Sequence, residues 1–143
     1  MKEKYYLNEK QLPTIPVPHD CVIKSIRLEE QCIVFVFEDD ISDHDSIQYL
    51  MPEAKSLIIR YHFVSDTDDF LIYKWVGPRK PFKKDDHYKC LKNCFLTKLP
   101  EGKYKLEYLY HNVGYCSIIT KLFSNGYIIL DAAIDYVEFE WIC

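Results

Sequence analysis

Three segments of this chain place apolar residues on every second position. Leu57, Ile59, Tyr61 and Phe63 stand with Ser56, Arg60 and His62 between and beside them. Tyr104, Leu106, Tyr108 and Tyr110 alternate with Lys103, Lys105 and Glu107, and Val137, Phe139 and Trp141 with Glu138 and Glu140. Successive side chains of a strand point to opposite faces, so a period of two marks a strand with one apolar and one wet face. A helix needs a period near 3.6 and cannot use this pattern. The chain is therefore expected to be all-β.

The 143 residues suit a single domain spanning 1–143, and 48% hydrophobic against 28% charged residues supply a core without help from metal or disulfides. Aromatic residues, 15% of the chain, fit a pleated, half-buried surface. The net charge of -4 gives no general attraction to nucleic acid or to an anionic membrane. Residues 1–12 lack the apolar run of a signal peptide, and no stretch reaches the roughly 18 apolar residues of a membrane helix. The expectation is a cytoplasmic location, with the six cysteines reduced. Cys32, in the run Cys32-Ile33-Val34-Phe35, reads as a small buried hydrophobe.

Residues 1–18 contain Pro13, Pro16 and Pro18 and read as an extended arm. Strands are expected over 21–28 and 32–38, turning at Glu29-Glu30-Gln31; the second is apolar on both faces and should be central. A short turn or helix precedes Pro52. Strands over 55–63 and 70–76, linked by Asp66-Thr67-Asp68-Asp69, are expected to form a hairpin. Residues 89–99 fit either a strand or a helix, with the strand favoured by its neighbours. Strands over 104–111, 115–123, 127–130 and 135–141 follow, and Asn125-Gly126 is the clearest hairpin signal. About eight or nine short strands point to an antiparallel sandwich or barrel. Ile33, Phe35, Leu57, Ile59, Tyr61, Leu106, Tyr108, Ile119, Val137 and Phe139 are the expected core.

Chemistry is harder to find. His19 and Cys21 could pair as base and nucleophile, but nothing nearby supplies an oxyanion hole. His19 and Asp20 serve as well to fix the start of a strand by bonds to the backbone. His87, Cys90 and Cys94 have a metal-like spacing without a second pair, although His111 or Cys116 could come near. The five histidines fall in five different local settings, so no three are expected to bind one metal ion. Asp39, Asp40, Asp43, His44 and Asp45 make an acidic loop that lacks the full calcium-loop pattern. Arg79, Lys80, Lys83 and Lys84, with Phe82 among them and Pro78 and Pro81 beside them, make a basic loop. Phosphate-cradling and serine-hydrolase motifs are missing. No catalytic residue, metal or cofactor is expected.

The run Pro18-His19-Asp20-Cys21-Val22-Ile23, followed by an alternating strand, a turn and an apolar strand ending Phe37-Glu38-Asp39, resembles small bacterial β-rich proteins of unknown function, some assigned as immunity proteins of polymorphic toxin systems. The resemblance covers about residues 18–40 and implies no catalytic residue. Together these features predict a binding protein with a protein partner, neither nucleic acid nor membrane. Asp43, His44, Asp45, Arg79, Lys80, Phe82, Lys83 and Lys84 are the candidate contacts. A thiol- or metal-dependent hydrolase and a small-ligand-binding β-barrel are the alternatives.

Overall fold

Alternation makes strands, and strands dominate the computed structural model, which describes residues 1–65, 69–76 and 87–143. The strands are β1 (Lys2–Tyr6), β2 (Cys21–Glu29), β3 (Cys32–Phe37), β4 (Ser56–Phe63), β5 (Phe70–Val76), β6 (His87–Leu91), β7 (Leu106–Gly114), β8 (Ser117–Phe123), β9 (Tyr127–Ala132) and β10 (Ile134–Ile142). A short helix α1 (Asp45–Leu50) precedes β4, and a 3-10 segment (Asn93–Glu101) follows β6. All ten strands form one antiparallel sheet in the order β1-β10-β4-β3-β2-β7-β8-β9-β5-β6. The sheet is open, with β1 and β6 as its edges, so it is not a closed barrel.

A short ladder joins its two halves, from Cys21 opposite Tyr108 to Ile23 opposite Leu106. The sheet folds over there, so the apolar faces of the halves meet. Tyr61 of β4 thereby reaches Tyr108 of β7 and Thr120 of β8, at 2.7 and 2.8 Å between hydroxyls. Phe35, Ile59, Tyr61, Tyr108 and Phe139 are buried in this core. Each such side chain contributes about 1.5–3 kcal/mol relative to exposure. As its two apolar faces predict, β3 is interior, flanked by β4 and β2.

Several expectations need correcting. The arm begins as a strand: β1 pairs with β10 from Lys2 opposite Glu140 to Tyr6 opposite Tyr136. It ends as a strap, with Leu7 and Ile15 buried. Residues 89–99 divide between β6 and the 3-10 segment, where Leu96 alone is buried. With β1 and β6 included, the count among the described residues rises to ten. β4 and β5 are not a hairpin: β4 pairs with β3 and β10, and β5 with β6 and β9. The two meet the chain on either side of Ala133, whose carbonyl accepts from the Val64 amide and whose own amide donates to the Asp69 carbonyl. Local turn chemistry cannot reveal that a strand leaves for the other half of the sheet.

The stripe from Tyr104 to Tyr110 also fails to stay on one face. The register of β7 against β8 slips between Tyr108 and Tyr110. Such a bulge inserts one residue and inverts the alternation beyond it. Leu106 and Tyr108 therefore point inward, whereas Tyr110 is exposed and His111 takes the next inward place. Ile119, expected in the core, is 43% exposed. Its neighbours Ile118 and Thr120 are the buried ones, and an Ile-Ile pair does not say which member faces in.

Candidate functional site

The outer faces of the two halves differ in chemistry. On β1, β10 and β4 the outward positions carry paired charge, beside the outward Cys32, Val34 and Val36 of β3. Arg60 holds Glu138 at 3.1 Å and Glu140 at 3.2 Å, and Lys2 lies 3.9 Å from Glu140. In the next row His62 stacks on Tyr136, with centroids 4.1 Å apart, and Lys4 lies 5.3 Å over the same ring. The charges on this face are paired among themselves, although His62 Nε2 is buried without a hydrogen-bond partner.

The outer face of β7, β8, β9, β5 and β6 is apolar and open. One cross-strand row runs Tyr110, Lys121, Ile129, Tyr73, Cys90. The next runs Asn112, Ile119, Asp131, Leu71. A third edge adds Phe123 and Tyr127, paired directly with ring centroids 5.5 Å apart, and Trp75 opposite Tyr88. Leu71, Tyr110, Ile119, Tyr127 and Tyr88 are 47%, 43%, 43%, 40% and 39% exposed. Lys121 lies among them with its ammonium 4.2 Å from the Tyr127 ring centre and 5.6 Å from that of Tyr110. A cation held over two rings keeps a charge on an apolar surface without a carboxylate partner. The bulge in β7 creates part of this face, since it turns Tyr110 outward.

The described candidates named from sequence lie elsewhere. Asp43, His44 and Asp45 lead into α1: Asp43 and Asp45 are exposed, and the His44 carbonyl accepts from the Ile47 and Gln48 amides. Asp40 is tied to Ser42, whose hydroxyl and amide donate to it and hold its carboxyl below the usual range. Arg79, Lys80, Phe82, Lys83 and Lys84 lie outside the described residues. Their loop joins β5 to β6, two strands of the aromatic face.

His19 and Cys21 do not share a side. Asp20 between them has a φ of 65°, which breaks the alternation. His19 is exposed and its Nδ1–H donates to the Leu109 carbonyl at 2.7 Å, the backbone-fixing role expected of it. Cys21 is buried, and burial pushes its thiol up to about 12, the reverse of an activated thiolate. Cys90 and Cys94 are exposed. Among the described residues no three His, Cys, Asp or Glu side chains are grouped to hold a metal ion. Among them, too, no helix is long and apolar enough to cross a membrane.

The aromatic face was missed in the sequence, although a trace of it is there. Leu71-Ile72-Tyr73, Ile118-Ile119 and Tyr127-Ile128-Ile129 are apolar at both parities. Such runs signal a strand whose second face is apolar too, which in β3 is covered and here is exposed. Comparison with protein-family models, with curated proteins and with solved structures returns no match.

Proposed function

We propose that this chain is an interaction protein of the immunity type, acting in the cytoplasm and binding a protein partner through the outer face of β5, β6, β7, β8 and β9. The observation that carries the reading is the contiguous exposed apolar surface around Lys121, set against the self-paired charge on the other half. Contiguous apolar patches on soluble domains mark contact sites, and tyrosine and tryptophan are enriched at their centres. Aliphatic side chains at the middle, Leu71, Ile119 and Ile129, suit a protein surface. Glu107 and Asp131 on the same face disfavour nucleic acid. Arg79, Lys80, Phe82, Lys83 and Lys84, which lie between β5 and β6 in sequence, are kept as proposed contacts. Asp43, His44 and Asp45 would form a separate, secondary contact.

The test is affinity capture from the native organism with tagged wild-type chain, Ile119→Asp and Lys2→Ala. A partner retained by wild type and Lys2→Ala but lost with Ile119→Asp supports the reading. A partner retained equally by all three would show that the face is not the contact.

A further inference from the structure

A second feature lies apart from that face. Ten of the 18 basic residues fall between Lys74 and Lys105, against three of the 22 acidic ones. Among the described members of this segment, Lys74, Lys98 and Lys103 line a single cleft of about 270 Å³ between β5, the 3-10 segment and the β8–β9 turn. Tyr104, Ser124 and Asn125 line it as well, and no carboxylate does among the described residues. Lys98 and Lys103 come from one stretch of chain and Lys74 from β5, so the fold brings two separate segments together here.

Among the described residues like charges gather here. Lys74 is directly opposite Lys89 in the β5–β6 ladder, and like charges at such positions repel. Among the described residues none of Lys74, Lys89, Lys98 and Lys103 has a carboxylate within ion-pair distance. Lys98 and Lys103 instead have their ammonium groups 5.7 and 5.9 Å from the ring centres of Phe95 and Tyr104. Each ammonium offers three donors and a compact charge, and Asn125 adds an amide. A monovalent anion would offset only part of this charge. A multivalent oxyanion can meet several ammonium groups at once and relieve their mutual repulsion.

We infer that this cleft binds a soluble polyphosphate, the phosphate oxygens accepting from Lys74, Lys98 and Lys103. Lys74 and Ile128 face the opposite side of their strands from Tyr73 and Ile129, so the site is separate from the aromatic face and does not depend on the function proposed for it.

The experiment is isothermal titration of the full chain with pyrophosphate and with ATP at fixed ionic strength, comparing wild type, Lys98→Glu/Lys103→Glu, Lys74→Gln and Lys55→Glu. Circular dichroism checks that each variant is folded; the substituted side chains are exposed, and Lys74→Gln serves if the double variant is not folded. Saturable one-to-one binding is expected, weakened at least tenfold by the double substitution, several-fold by Lys74→Gln and less than twofold by Lys55→Glu. No saturable binding to either anion would overturn the inference. So would an equal loss in Lys55→Glu, which would mean diffuse charge attraction. Retention only on vesicles carrying anionic phospholipid, with no binding of soluble polyphosphate, would overturn it as well.

Discussion

Four side chains and one backbone carbonyl fix the direction of every proton in the polar centre of the core. The Ile15 carbonyl can only accept, so His111 Nε2, 3.2 Å away, must carry the hydrogen. In a neutral imidazole Nδ1 then accepts, and the Tyr108 hydroxyl donates to it. Tyr108 must therefore accept from Tyr61, and Tyr61 from Thr120. The chain ties the N-terminal strap to β7, β4 and β8. Tyr61→Phe removes the middle link and leaves buried polar groups unpaired, at a cost of about 1–3 kcal/mol, measurable as a lower urea midpoint. Burial holds the pKa of His111 and of His62 below the ordinary histidine value. The unfolded chain, titrating near about 6.5, thus binds more protons than the folded one just below that pH. Stability contributed by these groups is present above pH 6.5 or so and is lost as pH falls toward their folded values. The urea midpoint is expected to drop between pH 7 and 5.5, with a shallower slope in His111→Asn. An unchanged slope in that variant would remove His111 from the account.

At the scale of elements, turns and bulges decide which side chains share a face. Gly126 has a φ of 142° in the β8–β9 turn, a region closed to residues with a Cβ, although the nearest atom to an added Cβ, on Trp75, is 3.7 Å away. Strain rather than crowding sets the cost, so Gly126→Ala is expected to destabilise by more than about 1 kcal/mol. Thermal unfolding would show this as a lower midpoint. The β7 bulge acts in the same way on a larger scale: it places Tyr108 and His111 both inward and hands Tyr110 to the outer face. The edge strands carry Lys2, Lys4 and Lys89, and lysine on an edge discourages further strand pairing.

At the scale of the whole molecule, the two faces of the sheet predict opposite responses to the same substitution. Ile59 is wholly buried between the halves, and Ile59→Asp would place a carboxylate in the core and unfold the domain. Leu71 is among the exposed aliphatics of the outer face. Leu71→Asp would face Asp131 across the ladder and is expected to lower stability by no more than about 1 kcal/mol, while weakening capture of the partner. Urea denaturation of the two variants, run beside the capture assay, separates folding from binding. A large destabilisation by Leu71→Asp would mean that the outer face belongs to the core.

The sequence by itself determined the elements whose cause is local. The alternation of 57–63 and 137–141 places β4 and β10, two apolar faces make β3 interior, and Asn125-Gly126 closes the β8–β9 hairpin. Nine of the ten expected core residues are buried, all but Ile119, because a stripe with charged neighbours has only one side that can face inward. Only the tertiary structure decided the rest. The partners of β4 and β5, the use of Lys2–Tyr6 as a strand and the side taken by Ile119 depend on contacts far apart in sequence. A single inserted residue in β7 reverses the alternation, which no local composition announces. The candidate surface lies on the same divide. Its residues are apolar in the sequence just as core residues are, and exposure is settled only when the sheet folds over and covers one of its two apolar faces.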